Sequence, residues 1–341
     1  MSSNHTALKS IKNFQRSDSI RSFFQVSTTI SLLLLCYALI YVGIYHGYHS
    51  VLLLAPIASG LSVRTFVLQH DFGHRSLFRT AWANDWAGRL CSVLTLTPYD
   101  HWRRHHGIHH GSWNNIANRG KMSNIYSDCI TVAEYRAMST MQKLSYRIAS
   151  QPFLSMFIMP PIIFFFVYRY PFDTPKGWWR ERLGVHLTNL TVLLIYAALG
   201  HAVGYATMLM VSLLVIYPAS VFGIWLFLVQ HKFEGVHWEA DSNWNSFDAA
   251  LTGCSLFKLP RVLQWFSASI GYHHVHHAAP GIPNYLLEAC HHANPVFHNV
   301  KTLSLRDSWA EVWSHRIWDE DAGRMVDFRT LGAARAAPSG T

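Results

Sequence analysis

The sequence predicts an all-α integral membrane protein. About four transmembrane helices are expected, with one re-entrant or interfacial segment and a cytosolic helical cap that carries a histidine-rich two-metal site. Three observations predict this. Charged residues make up only 14% of the 341-residue chain and hydrophobic ones 50%, whereas a soluble domain carries about 25% charged residues. Apolar runs of membrane-spanning length recur along it. Nine of its 22 histidines fall into a pattern, eight by regular spacing and His231 at the end of the last apolar run.

Residues 1–24 are polar and carry Lys9, Lys12, Arg16 and Arg21, with no small-residue cleavage site after the first apolar run. They read as a cytosolic segment ahead of a signal anchor. The run 27–46 is long enough to span, and 51–69 returns after a loop without Lys or Arg. Arg64 interrupts that second run near its cytosolic end and is expected to snorkel rather than to find an interior partner. The run 86–98 is too short to cross and is placed along the interface. Three more runs follow at 152–168, 187–203 and 206–230. Histidines on either side of this region can share one face only if an even number of crossings separates them. One run must therefore fail to cross, and 152–168, broken by "MPPII", is the one assigned to a re-entrant or interfacial path. The Arg- and Lys-rich loop 168–182 suits the cytosol, and the turn "GHAVGY" at 200–205 suits the outside.

Everything after residue 231 then lies in the cytosol, including an amphipathic segment near 304–318. The expected division is a segment 1–24, one domain over 25–330 and a disordered tail 331–341. The net charge of +9 and pI near 9.4 fit basic residues flanking apolar runs on the cytosolic side rather than nucleic-acid binding. Cys36, Cys91, Cys129, Cys254 and Cys290 form no CxxC and read as free thiols in a reducing compartment.

The histidines form three sets and one outlier. "HDFGH" places His70 and His74 at i and i+4, one turn apart on one helix face. "HGIHH" gives His106, His109 and His110 as HxxHH, and "HHVHH" repeats the pattern as His273, His276 and His277. Positions i, i+3 and i+4 span an arc of about 100°, so three imidazoles leave the helix on one side. His231 ends the last apolar run. His101, His105 and His274 are extra within these stretches, and His101 with His105 is a rival HxxxH frame. His5, His46, His49, His186, His201, His298 and His315 read as interfacial residues, and His237, His291 and His292 as surface or capping residues. Nine imidazoles exceed one tetrahedral site and imply two metals. Zinc, copper, iron and nickel all accept imidazole. Asp71 and Glu234 are placed to orient ligand rings from behind. No GxSxG, GxGxxG or phosphate loop is present.

At these residues the sequence resembles the membrane-bound fatty acid desaturase family, from about residue 50 to 330. The carriers are "HDFGHRSLFR", "ANDWAGRLCSVLTLTPYDHWRRHHGIHH", "WLFLVQHKFEGVHW", "YHHVHHAAPGIPNYLL" and "IWDEDAGRMVDFR". The HDxGH and HxxHH boxes look like the bacterial form of the acyl-lipid omega-6 (delta-12) branch. "HHGSWNNIAN" lacks the acidic residue often found there in relatives. The resemblance implies two non-haem iron ions held by His70, His74, His106, His109, His110, His273, His276 and His277, with His231 matching an extra family histidine. It also implies O2 as co-substrate, a fatty acyl lipid as substrate and a bacterial inner membrane location. Without an HPGG haem segment or a flavin fingerprint, electrons are expected from an external ferredoxin or cytochrome b5-like donor. Arg103, Arg104, Lys258 and Arg261 would face it, lipid headgroups or simply the cytosol. A hydroxylase or carotenoid ketolase on the same scaffold, a delta-9 desaturase and a metal-binding sensor are the alternatives.

Overall fold

The computed structural model describes residues 8–119, 129–240, 242–314 and 316–328. Four helices are long and apolar enough to cross a membrane: Ser19–Tyr45, His49–Gly73, Trp179–Val203 and Tyr205–His231. The protein is therefore an integral membrane, all-α molecule. Helix α1 (Ser19–Tyr45) starts well before the apolar run because Asp18 caps it, its carboxylate accepting from the backbone N–H groups of Ile20 and Arg21. A 3₁₀ turn over His49–Leu54 leads into α2 (Ala55–Gly73), with Pro56 in its first turn.

Helix α3 (Ala81–Leu94) exposes Trp82, Trp86 and Leu90 on one face, the amphipathic character expected of an interfacial helix. Helix α4 (Tyr99–Ser112) carries the second histidine motif. Two short capped helices follow, α5 (Val132–Ala137) and α6 (Thr140–Ala149).

The apolar run 152–168 is broken, as "MPPII" predicts. A π-helical turn at Leu154–Ile158 precedes α7 (Met159–Phe165), and the segment bends by 52° from α6. The two prolines sit in the first turn of α7, where a missing N–H costs nothing, so the break falls before them. Helices α8 (Trp179–Val203) and α9 (Tyr205–His231) meet at Gly204, whose φ of +85° admits only glycine cheaply. Helices α1, α2 and α9 pack together, and α7 lies against α9.

The cap follows α9. It comprises α10 (Ser246–Gly253), α11 (Arg261–Phe266), α12 (His273–Ala278), α13 (Asn284–Ala293) and α14 (Leu305–Val312). Strands β1 (Leu256–Phe257) and β2 (Thr302–Leu303) pair in parallel, and β3 (Arg316–Asp319) pairs antiparallel with β4 (Arg324–Asp327). The segment near 304–318 thus splits into a helix and the first strand of a hairpin.

One expectation changes. Arg64 does not snorkel. It is buried, its Nε donates to Thr29 Oγ1 at 3.0 Å, Nη1 donates to the Trp265 carbonyl, and the guanidinium lies 4.3 Å over the Trp265 ring. Interior partners for a charge at membrane depth outweigh the stretch to the interface. The N-terminal segment packs on the cap. Ile11 is 2% exposed and packs with Val275, Ile282, Leu287 and Phe297. The tail 331–341, His5 and His315 lie outside the described residues.

Candidate metal centre

All nine histidines singled out by spacing converge at the end of the bundle where α2 and α9 finish and α4 and α12 cross. They do so as two groups. His70, His74, His106, His110 and His276 form one, and His109, His231, His273 and His277 the other, with the ring nitrogens of each group within 4.8 Å of one another. The two HxxHH motifs interlock. Helix α4 gives its i and i+4 residues, His106 and His110, to the five-histidine group and its i+3 residue, His109, to the four-histidine group. Helix α12 does the reverse, giving His273 and His277 to the four and His276 to the five. Helical geometry explains the split: i and i+4 point about 40° apart, whereas i+3 lies about 100° from i+4.

The nitrogen separations identify what these contacts are. His74 Nε2 and His106 Nε2 are 2.8 Å apart, His106 Nε2 and His110 Nε2 3.0 Å, and His110 Nε2 and His276 Nε2 3.1 Å. In the second group His231 Nε2 lies 3.1 Å from His109 Nε2 and 2.9 Å from His273 Nε2. A ring nitrogen has a single in-plane site, either a proton or a lone pair. His106, His110 and His231 each approach two nitrogens with that one site, so the contacts cannot all be hydrogen bonds. They fit lone pairs directed at a common ion, since metal–nitrogen bonds of about 2.1 Å at right angles hold donors about 3 Å apart. His70 Nε2 and His277 Nε2 are buried without a hydrogen-bond partner, as expected of donors reserved for a metal. Each group can hold one ion.

Burial keeps the rings in the neutral, ligating form. His74, His106, His110, His273, His276 and His277 are all held well below the usual histidine range, first by desolvation and then by neighbouring imidazoles. Asp71 sits behind the five-histidine group, its Oδ1 3.1 Å from His70 Nδ1. Glu234, expected in a similar place, is exposed and belongs to neither group; beyond the end of α9 the chain turns it to solvent. The support behind His231 is neutral instead. The Cys254 thiol lies 3.8 Å from His231 Nδ1, and the Trp113 ring is 4.2 Å from the His231 ring, fixed by its Nε1 donating to the Gly253 carbonyl.

Two further pairs of histidines lie outside the nine. His101 is fully buried with Nδ1 2.8 Å from Glu181 Oε1, and His105 Nε2 lies 3.0 Å from Asp173 Oδ1. Arg104 is bonded to both Asp173 and Glu181, so the rival HxxxH frame joins an ion-paired clamp between α4 and α8. His291, expected at the surface, is 8% exposed and bonds His274 at 2.9 Å. Burial pushes His274 down to about 3 and His291 to about 4. The Leu287, Cys290 and His291 face of α13 was the available signal.

An apolar cavity of about 250 Å³ runs between α2, α7 and α9. Phe66, Ile163, Phe164, Ala219, Gly223 and Phe227 line it, and it ends on His70 and His106 of one group and His109 and His273 of the other. A separate polar cleft bearing Arg89, Arg103, Arg104 and Arg180 reaches His74 and His106 from the opposite side.

The molecule joins four candidate membrane spans to an apolar chamber that ends on two converging histidine groups, each able to hold a metal ion. A family model described as "Fatty acid desaturase" matches residues 28–302, and the chain belongs to that family. It is 37% identical to the "Fatty acid desaturase" of Bacillus subtilis over 95% of this chain and 90% of the relative. It is 26% identical to the "sn-1 oleoyl-lipid 12-desaturase" of Synechocystis over 66% of this chain and 63% of that protein. It is also 26% identical to the "sn-1 acyl-lipid omega-3 desaturase (ferredoxin)" of Nostoc over 73% and 68%. Equal likeness to two regiochemistries places the chain in the family without singling out the omega-6 branch.

Proposed function

We propose that this protein desaturates a membrane fatty acyl chain with O2, using one iron in each histidine group. The double bond enters at or near delta-12 of a monounsaturated acyl lipid, on the cytosolic side of a bacterial inner membrane. The observation that carries the reading is the apolar cavity ending on histidines of both groups. A chamber lined by Phe and Ile side chains suits an acyl chain and excludes water from the reacting methylenes. When bound, the irons supply the oxidising power that an unactivated C–H bond requires and no side chain has. The protein's own part is to keep the nine imidazoles aimed, six of them held neutral by burial, and to hold the chain against them. Electrons come from a ferredoxin or cytochrome b5-like donor, for which the arginine-lined cleft beside His74 and His106 is the nearest polar approach. The 12-desaturase names of the Synechocystis, Arthrospira and Picosynechococcus relatives support the delta-12 position, and the Nostoc name supports ferredoxin.

The test is expression in a bacterium supplied with saturated and monounsaturated chains, a ferredoxin pair co-expressed, and total fatty acids analysed by gas chromatography–mass spectrometry. A new diene absent from the His276→Ala variant is the expected result. A new monoene keeps the class and moves the bond, as for a delta-9 enzyme. Oxygen retained in the product assigns the scaffold to a hydroxylase or ketolase, and unchanged lipids overturn the reading.

A further inference from the structure

Asp71 touches His70 with one carboxylate oxygen. Its other oxygen, Oδ2, accepts two hydrogen bonds from a single residue, the backbone N–H and the side-chain Nδ2 of Asn284, both at 2.9 Å. Asp71 and Asn284 are 1% and 3% exposed, so no water competes. The Asn284 amide is held in turn, because its Oδ1 accepts from Gln25 Nε2 on α1 at 2.8 Å. Beside it, Tyr285 ties the same two elements together: its hydroxyl accepts from the Asp18 N–H at 2.8 Å and lies 3.2 Å from Ser22 Oγ.

We propose that Asn284 and Gln25 are positioning residues for the five-histidine metal position, acting on His70 through Asp71. The polarity of the line is fixed at every step. Gln25 donates, so Asn284 must present its oxygen to Gln25 and its NH₂ to Asp71. Asp71 then stays an acceptor, which leaves the proton of His70 on Nδ1 and the Nε2 lone pair free for a metal. A first membrane helix and a motif more than two hundred residues away thereby set the tautomer of one ligand. This line runs to the five-histidine group; behind His231 of the other group stand the Cys254 thiol and the Trp113 ring. The inference rests on the two-metal reading above.

The polarity makes the proposal separable from a packing role. Gln25→Glu keeps size and shape, but at pH 8 it offers only acceptors. The Asn284 amide must then turn its NH₂ to α1 and its oxygen to Asp71, where two acceptors oppose each other. Gln25→Leu removes the bond yet leaves the amide free to stay on Asp71. A packing role predicts that the leucine variant is the worse of the two, and the proposal predicts the reverse. The full chain, purified in detergent and stripped of metal, is titrated with Co²⁺ at pH 8 and followed by its visible absorption. Wild-type protein should bind two ions. Gln25→Glu and Asn284→Leu should weaken one of them by about 10–100-fold and leave the other, with Gln25→Leu clearly milder. Unchanged affinities in Gln25→Glu, equal weakening of both ions, or a leucine variant worse than the glutamate one would overturn the proposal. A wild type that binds no Co²⁺ would instead overturn the two-metal reading itself.

Discussion

The two histidine groups are built from the same motifs and supported in opposite ways. The five-histidine group has a carboxylate behind it, and His74 keeps partial exposure on the side of the polar cleft. The four-histidine group is wholly buried, and a thiol and an indole stand behind it. Water and competing cations reach the first more easily, and it answers with an extra ligand and a negative charge. The second relies on exclusion. Donor count alone therefore does not describe either position, and the two are not interchangeable.

Ligand removal gives the largest test of that contrast. His231→Ala takes one of four donors from the sealed group and should abolish product and drop bound metal from two ions to one per chain. His110→Ala leaves four donors in the open group and should keep two ions at weaker affinity, as metal analysis and lipid profiles would record. Equal loss in both variants would erase the distinction. Next in size, Asp71→Asn should weaken one ion by about 10–100-fold and spare the other, measured by competition with a chelator.

Acid should separate metal-free from loaded protein. The folded chain holds these imidazoles neutral, whereas the unfolded chain takes up protons below about pH 6.5. The metal-free protein should therefore lose stability as pH falls through that value and change little between pH 7 and 8; thermal unfolding against pH checks the sign. A smaller effect is expected from Gly253→Ala, because its Cβ would come within 2.4 Å of Asn114 Nδ2 and 2.6 Å of Trp113 Nε1. The displaced indole should cost about 1–3 kcal/mol and weaken the sealed group's ion first. The mildest change is Gly223→Leu. A Cβ there meets no heavy atom within 4 Å, and the longer side chain should fill the cavity and favour shorter acyl chains, read from product lengths.

The spans, the broken segment and eight of the nine converging histidines were legible because each rests on a local pattern: runs of membrane length, a proline pair, and i, i+3, i+4 spacing; His231 was legible only as the end of the last apolar run. The parity of crossings then placed the motifs at one end. What escaped depends on partners distant in sequence. Arg64 reads as an interrupted span until Thr29 and the Trp265 carbonyl are seen beside it. His101 looks like a ligand until Glu181 and Arg104 account for it. Glu234 and Asp71 each neighbour a histidine in the chain, yet only Asp71 meets one in space. Allocation of the motifs between groups also lay beyond spacing, since both motifs have the same pattern and only their docking decides which residue goes where.

The interruption at residues 154–165 has a consequence for descent. The wall it gives the acyl chamber, through Met159, Ile163 and Phe164, carries none of the nine histidines. A lineage can recarve that wall, residue by residue, while the metal-bearing helices stay as inherited.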